Sequence, residues 1–170
     1  MGDRELVARQ IGRTPRAFRC VAARCPFGAP AVTEQESYDP AGTPFPTTYY
    51  LTCRHLVTAV SRLEAAGGVE RWSEAVAADT ALAESLTRAT DEQRRIRREL
   101  AGGGVGADDG RSLDLGIGGS GNPGQLKCLH AHVAFALARA GYELGDRIVE
   151  ELEPLWPEQC CLAGFDSGSV

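Results

Sequence analysis

No run in the 170-residue chain approaches the roughly 18 apolar residues that a bilayer-spanning helix needs. The first twenty residues, MGDRELVARQIGRTPRAFRC, are charged throughout and hold no apolar signal-peptide core. These absences predict a cytoplasmic protein that does not insert into membranes. Basic residues are the minority, 18 Lys and Arg against 23 Asp and Glu for a formal charge of −5. Nucleic acid is therefore not the expected partner. Aromatics make up only 6%, so the core has to come largely from Ala, Leu and Val. Neither a Walker A sequence nor a complete G-x-G-x-x-G after a clear strand occurs, and nucleotide binding is not signalled. The paired C-x-x-C motifs of zinc ribbons and fingers are missing too.

What is present fits one domain over 1–165, with a glycine-rich loop at 101–122 and a disordered tail at 166–170. Residues 3–11 have helical spacing, with Leu6, Val7 and Ile11 on one side and Asp3 as a cap. Ala17–Arg24 and Ala31–Glu34 read as strands joined by the turn Cys25-Pro26-Phe27-Gly28. Thr47–Thr52, β-branched and aromatic, is the strongest strand signal, with Tyr49 and Tyr50 on opposite faces. Thr52 is placed to cap a helix striped by Leu56, Val60 and Leu63. One or two helices follow over 69–100, ending in the basic run Arg94–Arg98, read as a solvated face with internal ion pairs. Asn122-Pro123 predicts the start of a helix that runs to about Arg139, and a last helix spans about Leu144–Leu152. The expected fold is α+β: a small antiparallel N-terminal sheet packed against four to six helices.

A reducing compartment makes the six cysteines metal ligands, reactive thiols or core residues rather than disulfides. Cys25 lies in a Pro/Gly turn, Cys53 at a strand–helix junction and Cys128 in the first turns of the predicted helix. Such positions present sulfur beside unpaired backbone N–H groups, which favour thiolate. Convergence of these three on one metal centre is the expectation, with Cys160, Cys161 or His132 as the fourth ligand. His132 is preferred to His130 on the helix because it stands four residues from Cys128. Scattered ligands point to an iron–sulfur cluster before zinc. Cys20, beside Val21, reads as a core residue.

The run Gly116–Pro123 enters a helix N-terminus, so Gly118, Gly119, Ser120 and Asn122 form a candidate cradle for a small anionic ligand, with Lys127 adding charge. A flexible loop is the plainer reading. Lys127 and His130 are the candidate catalytic groups if the chain is an enzyme, which the sequence leaves open. A cysteine nucleophile at Cys128 is the metal-free enzyme alternative. A structural-zinc or metal-free interaction protein with a protein partner is the alternative without chemistry.

The motifs Arg24-Cys25-Pro26-x-Gly28-x-Pro30, Gly42-Thr43-Pro44-Phe45-Pro46-Thr47-x-Tyr49-Tyr50-Leu51-Thr52-Cys53, Ser61-Arg62-Leu63-Glu64 and Lys127-Cys128-Leu129-His130-x-His132 together resemble an uncharacterised, largely actinobacterial family known as domain of unknown function 501. The resemblance implies that the motif cysteines act together. Through genes that often lie near a septum-formation protein and an exopolyphosphatase, it also implies a setting in cell division or the envelope. Arg54 stands where the family usually has Pro. Phe27 stands where many members carry a further cysteine, and Cys160 or Cys161 would replace that cysteine here.

Overall fold

A computed structural model describes residues 1–122 and 124–163. Helix α1 (Asp3–Ile11) precedes three strands, β1 (Phe18–Arg24), β2 (Pro30–Gln35) and β3 (Tyr49–Leu51), which pair antiparallel in the order β1-β2-β3. The central strand β2 is buried on both faces, hence the near-continuous small apolar run Pro30-Ala31-Val32. Its pairing with β3 is regular, Val32 opposite Leu51 and Thr33 opposite Tyr50. The pairing of β1 with β2 shifts register three times, which bends the edge strand. On that edge Cys20 is exposed, its sulfur 4.0 Å from the Glu34 carboxylate. The expected core role of Cys20 is therefore corrected: an edge strand offers its outer face no covering layer.

The rest is helical: α2 (Arg54–Ala65), α3 (Gly68–Ala78), α4 (Thr80–Ala101), α5 (Leu129–Ala138) and α6 (Glu143–Glu150). The sheet and six helices make a single α+β domain. Caps differ from expectation by one residue. Gly2 caps α1, with the Glu5 carboxylate returning to its N–H at 3.0 Å, and Cys53 rather than Thr52 stands at the start of α2. Helix α5 is apolar nearly all round, with seven of its ten residues buried. Such a helix belongs in the middle of the core, and it packs on β3, α2 and α6.

Helix α5 begins at Leu129, and residues 124–128 are not helical. The expected start at Asn122-Pro123 is thus displaced by more than a turn (Pro123 itself lies outside the described residues, as does the expected tail 166–170). The segment 101–122 forms three short 3₁₀ turns anchored from α4. Arg97 is fully buried and donates from Nε to Ser112 O at 3.1 Å and from Nη1 to Phe45 O at 2.9 Å. Arg94 donates to Asp114 O at 2.8 Å, and Arg98 pairs with the Asp114 carboxylate. A basic run read as a solvated face therefore carries, at Arg97, the largest fully buried side chain of the core. Carbonyls of two loops accept from its Nε and Nη1, while its buried Nη2 has no hydrogen-bond partner among the described residues.

Candidate metal centre

The site grows from the junction of α2, β3 and α5. Cys128 is the extended residue before α5, and α2 presents Val57, Ser61 and Glu64 toward it at helical spacing. Glu64 Oε1 accepts the Leu129 N–H at 2.6 Å, capping α5 from a neighbouring helix. The same oxygen lies 3.2 Å from His130 Nδ1, and Cys128 Sγ lies 3.7 Å from that nitrogen. On the far side of the ring, Nε2 is 3.2 Å from Val57 O and 3.2 Å from Ser61 Oγ. A carbonyl can only accept, so Nε2 carries the proton and Nδ1 faces the sulfur and the carboxylate. The Glu64, Cys128 and His130 donor atoms all lie within 4.8 Å of one another.

Cys128 and His130 of this trio line a cavity of about 320 Å³ together with Tyr49, Leu51, Val57, Ala131 and Gly118, and Glu64 stands outside its lining. Gly118 has φ +72°, and a Cβ there would stand 3.4 Å from the Ala131 methyl. The left-handed turn calls for glycine, while the approach itself is an ordinary contact. His130 is pushed up to about 9, first by its hydrogen bond to Cys128 and then by the Glu64 charge, against the opposing effect of burial.

His132, the preferred histidine ligand of the sequence reading, is elsewhere. Because Cys128 precedes the helix, the four-residue spacing does not put the two on one helical face. His132 is buried between α5 and α6, with Nδ1 2.7 Å from Tyr142 Oη. Burial holds it down at about 4. Sequence reasoning missed Glu64, although it lies in a motif already singled out. Its three-residue separation from Ser61 was the available signal.

The other expected ligands gather at a second place. Cys53 and Cys161 have sulfurs 3.8 Å apart, and both are free thiols. Cys160 lies against Cys161 and against Cys25, which sits in the β1–β2 turn. The contact with Cys53 lowers Cys161, and the contact with Cys161, reinforced by burial, raises Cys53. The structure therefore divides the predicted cysteine set, placing Cys128 with His130 and Glu64, and Cys25 and Cys53 with Cys160 and Cys161.

The expected anion cradle has its polar groups turned inward. Ser120 Oγ donates toward Asn122 O at 2.7 Å and Gln125 O at 3.1 Å, and Asn122 Oδ1 accepts the Gly124 N–H at 3.1 Å. Gly119 N donates to Gly116 O, its C=O group three residues earlier. With α5 starting at Leu129, the loop does not run directly into a helix N-terminus as expected. Lys127 is exposed and is not among the residues lining the cavity. Of the loop, Gly118 alone among Gly118, Gly119, Ser120 and Asn122 lines it.

A family model described as "Protein of unknown function (DUF501)" matches residues 21–150. The chain belongs to this family. The matched span of this DUF501 member contains Cys25, Cys53, Glu64, Cys128 and His130 and ends before Cys160 and Cys161. No curated protein and no solved structure matches the chain. No helix among the described residues is long and apolar enough to cross a membrane.

Proposed function

We propose that the protein is metal-binding and that Glu64, Cys128 and His130 hold one divalent zinc-type ion whose fourth position faces the cavity. The observation that carries this reading is the trio itself, three different donor types within 4.8 Å of one another, two of which, Cys128 and His130, line the cavity. Tetrahedral zinc with bonds of about 2.0–2.3 Å would set N···O and S···N edges near 3.3 and 3.5 Å. The separations here are 3.2 and 3.7 Å. The Val57 carbonyl supports the same reading, because a metal-bound histidine normally donates its other N–H to such an acceptor and is thereby oriented. The mixed donor set and close spacing suit a single ion better than the iron–sulfur cluster suggested by scattered cysteines, whose thiolates would sit on separate irons.

Bound there, a zinc ion would act as a Lewis acid on a small molecule in the cavity. Apolar walls at Tyr49, Leu51 and Val57 would exclude water around that molecule. Glu64 and Val57 would keep the imidazole in place.

A metal-free reading is favoured by one observation. Without an ion, both His130 nitrogens face acceptors, the arrangement of an imidazolium beside a Cys128 thiolate nucleophile. Metal analysis of the purified protein separates the two. Zinc bound in the pocket and lost on Cys128→Ala supports the metal. A Cys128 that alkylates rapidly in zinc-free protein, with no zinc recovered on supplementation, supports the nucleophile.

A further inference from the structure

We infer that Cys25, Cys53, Cys160 and Cys161 form a second, closed zinc site of four thiolates that clasps the C-terminal segment to the sheet. The inference stands on residues outside the pocket and does not depend on the pocket reading. Thiols from three distant parts of the chain neighbour one another in turn: Cys25 of the β1–β2 turn lies against Cys160, Cys160 beside Cys161, and Cys161 against Cys53 at the start of α2. The Cys53–Cys161 pair already stands at a metal-site edge, and a bound ion would draw the other two sulfurs in to complete the set. The Cys53–Cys161 separation of 3.8 Å is too long for a disulfide. It is the edge expected of a tetrahedron with zinc–sulfur bonds of about 2.3 Å.

The surroundings are those of negative sulfur. The Leu162 N–H donates to Cys160 Sγ at 3.5 Å, and Gln10 Nε2 points at Cys161 Sγ at 3.8 Å. Backbone N–H groups at the start of α2 add to these, Arg54 facing Cys161 and His55 and Leu56 facing Cys53. Neutral thiols are poor acceptors, so several donors converging on sulfur mark a place prepared for thiolate. Several thiolates together need a cation, and a metal binds them with loss of their protons to solvent. Cys25 and Cys53 are buried, which suits a structural ion with no open position.

The clasped segment explains what such a site is for. Residues 151–163 contain no helix or strand. Their backbone order cannot come from a hydrogen-bond ladder, and beyond Leu152, buried at the segment's start, its apolar anchors Leu155, Trp156 and Leu162 are only partly buried. A metal bond from Cys160 and Cys161 to Cys25 and Cys53 would fasten the C-terminal segment to the sheet.

The test counts zinc in the full chain. Protein from zinc-supplemented cells should carry two zinc ions per chain if both sites fill. The double variant Cys160→Ser with Cys161→Ser should lose one ion, and Cys128→Ala should lose the other. Failure of the pocket reading alone would leave one ion, lost only in the cysteine-pair variant. Chelation or the pair variant should also speed cleavage by a glutamate-specific protease at the exposed Glu158. Should the variant fail to fold, cobalt substitution in Cys128→Ala protein replaces it, and the intense thiolate-to-cobalt absorption of a tetrathiolate site is expected there. Unchanged zinc in the folded pair variant, no such absorption in cobalt-loaded Cys128→Ala, or a Cys53–Cys161 disulfide in freshly purified protein would overturn the inference.

Discussion

His130 and His132 stand two residues apart on α5 and occupy opposite surroundings. His130 faces the cavity among a thiol, a carboxylate, a carbonyl and a hydroxyl. These groups push its ring up to about 9. His132 faces the core, with Tyr142 Oη on one nitrogen and no partner for the other, Nε2. Burial holds that ring at about 4. The same side chain is thus a proton-holding or metal-holding group on one face and a neutral core residue on the other. What separates them is a step of about 200° around the helix and the identity of the neighbouring helix, α2 on one side and α6 on the other.

Substitutions can break that comparison at either face. The largest effect is expected from Cys128→Ala, which should remove the pocket ion entirely while leaving the fold intact, read by zinc per chain and circular dichroism. Phe135→Ala on the core face should do the reverse. Its ring is 1% exposed and packs edge-on to Tyr49 and Tyr142 at 5.4 and 5.5 Å, so truncation should cost about 3–5 kcal/mol in urea unfolding. Zinc per folded chain should not change.

pH sharpens the contrast. In chelated protein the raised His130 contributes stability that is full below its unfolded value of about 6.5 and is lost as pH rises through about 9. The loss should be about 2 kcal/mol once its 26% exposure is allowed for. The lowered His132 runs the other way: its contribution is full above about 6.5 and is lost as pH falls through about 4. His130→Asn should flatten the alkaline limb only, and His132→Leu the acid limb only. The smallest effect is that of His132→Leu at pH 7, where exchanging one neutral hydrogen bond for apolar packing should change stability by no more than about 1 kcal/mol. Denaturant midpoints across pH 4–10 check all of these.

Much of the fold was legible because local rules act locally. The α1 boundaries follow from the spacing of Leu6, Val7 and Ile11 and the stop at Gly12. The strand signal around Tyr49 and the turn at Cys25–Gly28 follow from β-branched, aromatic and turn residues. The site was legible only in part. Asn122-Pro123 carries a strong helix-start signal, yet the helix begins at Leu129, where Glu64 reaches across from α2 to cap it. That shift moved Cys128 out of register with His132 and beside His130. Arg97 was misread for a similar reason. Nothing in a run of arginines tells which guanidinium will meet the carbonyls of Ser112 and Phe45.

By itself the sequence determined an α+β chain, its family, and the turn and strand end at which Cys25 and Cys53 are displayed, since these follow from spacing, propensity and turn chemistry over a few residues. Only the tertiary structure decided which thiols meet. Glu64 and Cys128 are 64 residues apart, and Cys53 and Cys161 are 108 apart. Contacts at that separation arise from how helices and sheet pack, and no short-range pattern encodes them.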